Sequence, residues 1–190
     1  MKLLVLLLLL FPTASFAQTW QNPLPLDSTT HQITYSGVVQ VAGATQSELY
    51  SRAQEWLLGS FKTGKSSIVT QDAASGRLIA EGFSPLFLTQ AGLALEHRLW
   101  RTIKVEVKDG RYRYELANYA ISRVPVNAQQ PEAPGKTSLE TMYDPARSVY
   151  MTKKGQPKPA LLKATESIDE VSRQQVEALK QAMQQSKKDW

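Results

Sequence analysis

On either side of Asp109-Gly110, residues 97–124 alternate between apolar and polar positions, a pattern that predicts a β-hairpin. Asp-Gly suits a type I′ turn, whose two central residues both need positive φ. Folding the strands about it sets Lys108 opposite Arg111, Val107 opposite Tyr112, Glu106 opposite Arg113, Val105 opposite Tyr114, Lys104 opposite Glu115 and Ile103 opposite Leu116. One face then collects Val107, Val105, Ile103, Tyr112, Tyr114 and Leu116. The other sets Glu106 against Arg113 and Lys104 against Glu115, opposite charges across the ladder. Burial and charge agree on one register, and a slip of one residue would invert both. Extended without interruption, the same register places Trp100 opposite Tyr119 on the polar face, and it leaves Arg101 and Asn118 as odd occupants of the core face.

Residues 31–41 alternate as a first strand, with Ile33, Tyr35, Val39 and Val41 inward and Gly37 a candidate bulge. Thr45 and Glu48 have capping-box spacing. Leu49, Ala53, Trp56, Leu57 and Phe61 then form the apolar stripe of a helix over residues 46–61. Residues 66–71 and 77–83 read as strands joined by the turn Asp72-Ala73-Ala74-Ser75-Gly76. Residues 84–96, with Pro85, Gly92 and five large apolar side chains, fit either a continued strand or a folded connection. Residues 127–164 are punctuated by Pro131, Pro134, Pro145, Pro157 and Pro159 and read as a long loop lying partly along the surface, with one helical turn over 138–143. A second capping box, Ser167 to Glu170, opens a helix over 168–185 whose stripe is Ile168, Val171, Gln175, Leu179, Ala182 and Met183. The order β-α-β-β-β-β-α predicts an α+β two-layer sandwich: a mainly antiparallel sheet, two helices on one face, and the other face wet.

The N-terminus changes the picture. Lys2, the apolar run 3–11, Pro12 and the small residues Ser15 and Ala17 have the form of a secretory signal peptide cut after Ala17. That run is far short of the roughly 20 residues needed to span a bilayer. The reading divides the chain into a signal over 1–17, an exposed arm over 18–30, one α+β domain over 31–186 and a basic tail over 187–190. Export to the periplasm or beyond follows, with no transmembrane span after cleavage. Removing residues 1–17 takes away only Lys2, which leaves 21 basic against 17 acidic residues, net +4. A mild excess of this kind is a statement about solubility, and an exported protein seldom meets nucleic acid, so none is expected as a partner. The chain has no cysteine, which excludes disulfides, thiolate catalysis and thiolate metal sites.

The strand Tyr35-Ser36-Gly37-Val38-Val39, the helix Ser47-Glu48-Leu49-Tyr50-Ser51-Arg52-Ala53-Gln54-Glu55-Trp56 and the turn Lys108-Asp109-Gly110-Arg111-Tyr112-Arg113-Tyr114 together resemble the family known as domain of unknown function 4468. That resemblance spans about residues 27–124 and implies a TATA-binding-protein-like fold of the kind found in exported proteins of Bacteroidetes. It brings no activity, cofactor or catalytic residue, and the name of a fold does not bring DNA binding with it.

The residues themselves offer little catalytic chemistry. His31 and His97 stand at separate strand starts, so no metal site, cofactor or catalytic residue is assigned. Gly59-Ser60-Phe61-Lys62-Thr63-Gly64-Lys65-Ser66 matches a phosphate-loop string, but it follows a helix and precedes a strand, the reverse of what phosphate binding at a helix N-terminus requires. The clusters Lys153-Lys154, Lys158, Lys163 and Lys187-Lys188 read as solvated. The expectation is therefore a non-enzymatic domain that binds a protein or cell-envelope component through the open sheet face or the long loop, with Trp100, Tyr119, Arg113 and Lys104 as candidate partner-binding residues. Homodimerisation is a further option. The alternative is a hydrolase of envelope material using carboxylates such as Asp72, Glu81 and Glu106, which would need two of them at a set separation about a cleft.

Overall fold

A computed structural model describes residues 20, 22–61, 67–90, 93–125, 135–146 and 149–185. In chain order the elements are β1 (Tyr35–Gln40), α1 (Gln46–Gly59), β2 (Ser67–Asp72), β3 (Arg77–Gln90), β4 (Leu93–Lys108), β5 (Arg111–Arg123), β6 (Thr137–Ser138), α2 (Leu139–Met142) and α3 (Pro159–Gln184). The strands form one antiparallel sheet in the order β1-β5-β4-β3-β2, and β6 pairs with the far end of β5. Both long helices pack on one face of it, which is the α+β arrangement that the periodicities predict.

The β4–β5 hairpin has the predicted register from Lys108↔Arg111 to Ile103↔Leu116. Its turn is not type I′, because Gly110 takes a positive φ and Asp109 does not, and it is bonded to the start of α1. Asp109 Oδ1 accepts from Gln46 N at 2.7 Å, and Gly110 N donates to Ala44 O at 2.8 Å. Thr45 and Glu48 form the capping box in both directions. Leu49, Ala53 and Leu57 then lie against Ile103, Val105, Leu116 and Leu78 in one core. Each side chain of this kind stabilises the fold by about 1.5–3 kcal/mol when fully buried. Gly37 is not a bulge. It pairs regularly with Tyr114, and a Cβ there would stand 2.8 Å from the Tyr114 hydroxyl, so the absent side chain makes room for that ring.

Beyond Ala117 the predicted register fails. A bulge between Trp100 and Thr102 sets Trp100 opposite Ala120, and Asn118 adopts φ +56°. The extra β5 residue switches the parity of the strand. Tyr119 therefore turns into the core at 1% exposure, edge-on to Tyr35, and is no partner of Trp100. The positive φ falls on Asn, which tolerates it better than most residues.

One open alternative is settled and two further expectations change. Residues 84–90 continue β3, because Leu86 and Leu88 keep the inward alternation opposite His97 and Leu95 on β4. The second helix begins at Pro159, nine residues before Ile168, and Ser167–Glu170 lies inside it. Proline at the first helical position has a preset φ and no N–H to leave unsatisfied, and Leu161, Ala164 and Thr165 extend the buried stripe backward. The arm over 18–30 is not exposed throughout. Leu24 is buried, Leu26 bridges to Ile33, and Trp20 stacks on Tyr143 with ring centroids 5.6 Å apart. Within the proline-rich stretch the expected helical turn is α2, capped by Ser138. The signal peptide over 1–17, the Lys187-Lys188 tail and residues 62–66 of the phosphate-loop string lie outside the described residues.

Candidate functional site

Alternation along the central strands sends Trp100, Thr102, Lys104 and Glu106 of β4 to the face opposite the helices, alongside Arg77, Glu81 and Phe83 of β3 and Arg111 and Arg113 of β5. Trp100 and Glu106 are six residues apart on one strand, so this outer face runs for about 20 Å. Its two ends differ in chemistry.

At the turn end, the single carboxylate of Glu106 serves three cations: Arg113 Nη2 at 2.5 Å, Lys104 Nζ at 3.2 Å and Arg77 Nε at 3.7 Å. Partial burial would raise the Glu106 carboxyl, but hydrogen bonds and charge from Lys104 and Arg113 outweigh it and hold the group below its ordinary value. Lys104 stands opposite Glu115 as predicted, yet its ammonium goes to Glu106. Lys108 and Arg111 add two more cations beside a hollow of about 300 Å³, whose wall includes Val38, 64% exposed. At the far end, Trp100 packs on Phe83 with centroids 4.6 Å apart and donates from Nε1 to Ser122 Oγ at 2.9 Å. Lys136 lies over the Trp100 ring at 3.8 Å and reaches Glu81 Oε1 at 3.0 Å, while Arg98 lies over Phe83 at 5.1 Å.

Of the four candidate residues, Trp100, Lys104 and Arg113 share this face and Tyr119 does not. Burial, more than any partner charge, pushes the Tyr119 hydroxyl up to about 12. Reading by sequence missed Phe83, Arg98 and Lys136. Phe83 joins Trp100 only through the β3–β4 register, and Lys136 comes from the loop, where no periodicity places a side chain.

The carboxylates Asp72, Glu81 and Glu106 do not converge. Asp72 caps its own turn, accepting from Ser75 N and Oγ. Glu81 sits opposite Thr102, four residues from Glu106 and so about 13 Å along the sheet. Carboxylate pairs of glycosidases stand roughly 5–9.5 Å apart. His31 occupies a turn before β1 with φ +57°, and His97 is buried on β4 with Nδ1 at 3.0 Å from Leu95 O. Among the described residues no cluster of three or more His, Asp or Glu is arranged to hold a metal, and no helix is long and apolar enough to cross a membrane.

Comparisons bear on the fold. Residues 35–122 match the sequence model of a family described as a domain of unknown function (DUF4468) with TBP-like fold. The chain is similar in structure to a DUF4468 family protein from Bacteroides ovatus, at 16% identity and a TM-score of 0.64 over 87% of this chain and 94% of that one. It is also similar to a TBP-like protein from Parabacteroides distasonis, at 14% identity and a TM-score of 0.57 over 82% and 96% of the two chains. No curated protein sequence matches.

Proposed function

We propose that this chain, whose residues 35–122 match the model of DUF4468 with TBP-like fold, a family description that names no activity, is an exported, non-enzymatic module binding a protein or cell-envelope partner on its outer sheet face. The observation that carries the proposal is the face itself. Both long helices pack on the opposite side, and this one presents Lys104, Arg113 and Arg77 gathered about Glu106, next to exposed Val38. A cationic rim about an apolar spot suits a partner with acidic groups, because charge complementarity steers the encounter and rejects like-charged competitors. Lys136 brings the long loop onto the same face by lying across Trp100, so loop and sheet offer one surface. Export rests on the form of residues 1–17.

The test uses the processed protein, whose first residue is expected to be Gln18, incubated with isolated cell-envelope fractions. Lys104→Glu with Arg113→Glu should weaken retention by about tenfold, with the effect fading at high salt. Trp100→Ala should weaken it less. Unchanged retention by both variants, with circular dichroism showing them folded, would sink the proposal. A dimer seen by light scattering that the same substitutions dissociate would make a second copy of the chain the occupant.

A further inference from the structure

On the helix side of the sheet, Arg101 is 2% exposed, which makes it one of the largest fully buried side chains. Among the described residues its guanidinium is held by neutral groups alone. Nε donates to Gln175 Oε1, Nη1 to Leu99 O at 3.3 Å and Nη2 to Ser84 Oγ at 2.8 Å. Gln175 is itself oriented by its amide nitrogen, which donates to Ser60 O at 3.4 Å, and the Phe61 ring lies 5.4 Å from the guanidinium carbon. Among the described residues no carboxylate pairs with Arg101. Burial pushes its pKa down to about 10, so it remains charged at neutral pH.

A buried charge without a counter-charge costs several kcal/mol, and folded proteins ordinarily pair it. This one lines a cavity of about 490 Å³ between α1, α3 and β3. The walls are mainly apolar, with Trp56, Pro85, Val171 and Ala178 among them. Arg101 has five N–H donors and three of them are used, so two are left, the number that a carboxylate takes in a bidentate pair. We propose that this cavity binds a monocarboxylate with an apolar body, the carboxylate docking on Arg101 and the body lying against Trp56 and Val171. A carboxylate suits the site better than a phosphate, because it matches one positive charge and two donors and brings apolar surface to apolar walls. Glu55 is exposed at the rim, where solvent and salt screen it.

Octanoate is the probe, added to the full processed chain and followed by calorimetry and thermal shift. Saturable binding is expected, with octan-1-ol and inorganic phosphate weaker by about tenfold or more. Arg101→Met removes the charge and keeps an apolar side chain of similar length, a replacement that cores often accept. Ala178→Phe narrows the cavity from an exposed position on α3 and leaves Arg101 in place. Each should weaken octanoate by about tenfold or more. Arg113→Glu, on the outer face, should leave it unchanged, which keeps this site separable from the outer-face proposal. No saturable octanoate binding, equal binding of octan-1-ol, or wild-type affinity in either variant would overturn the inference. If Arg101→Met fails to fold, Ala178→Phe decides.

Discussion

At the scale of single residues, two glycines with nearly the same backbone angle should respond differently to a methyl group. Gly76 has φ +68° and Gly110 has φ +71°. A Cβ on Gly76 would stand 2.4 Å from the carbonyl oxygen of Val107, while one on Gly110 would meet nothing within 4 Å. Gly110→Ala therefore incurs only the left-handed strain, about 1–2 kcal/mol. Gly76→Ala adds a clash with backbone that is itself hydrogen bonded, since Val107 N donates to Gly76 O at 2.9 Å, and overpacking of that kind costs about 1–3 kcal/mol more. Urea unfolding of the two variants checks the difference. Equal losses would show that the turn can move away from β4. Asn118 is the third position of note. Its amide donates to Thr102 Oγ1 at 3.2 Å, and its positive φ carries the bulge that turns Tyr119 inward.

At the scale of elements, the β4–β5 turn and α1 behave as one unit. Two acceptors, Thr45 Oγ1 and Asp109 Oδ1, serve the first turn of the helix from opposite sides, one local and one 63 residues away. Thr45→Ala and Asp109→Ala should each cost about 1 kcal/mol, the ordinary value of a lost cap. Because both act at one helix terminus, a double-mutant cycle should give a coupling of about 0.5 kcal/mol or more. Additive losses would mean that turn and helix are held independently. The far end of the helical layer is tied similarly, with Arg52 Nη1 donating to Met183 O at 2.8 Å near the end of α3, where a cation suits the helix dipole.

Across the whole molecule, two carboxylates link stability to acid. Burial alone would raise Asp169, but hydrogen bonds from Arg173 and Tyr35 hold it below its ordinary 3.8, and Glu106 lies below 4.5 for the like reason given above. A carboxyl depressed on folding contributes its full stabilisation above its unfolded-state value and loses it as pH falls through the folded-state value. Stability should therefore decline below about pH 4.5. Glu106→Gln should be less stable than the wild type at pH 7, and the gap should close in acid. Urea midpoints at several pH values test this, and a constant gap would refute it. At the alkaline end the sign reverses. Burial raises Tyr112 and Tyr119 to about 12, so the stabilisation they give is complete below 10 and is lost as pH rises through 12.

What the sequence determined by itself was governed by near neighbours. The Asp109-Gly110 turn, the cross-strand register next to it, the Thr45–Glu48 cap and the inward stripe of Leu49, Ala53 and Leu57 all follow from period and turn chemistry acting over a few residues. The family resemblance rested on those same stretches and was right about the fold. The tertiary structure alone decided the features in which distant chain segments meet. The bulge at Asn118 was foreshadowed by the misfit of Arg101 and Asn118, but its position depends on how Tyr119 packs against Tyr35. Pro159 could start α3 early because Leu161 had a core to enter. Lys136 reaches Trp100 and Gln175 reaches Arg101 across 36 and 74 residues, separations at which hydrophobic periodicity carries no information. Local pattern sets which face a side chain takes, and packing of the whole chain sets what that face meets.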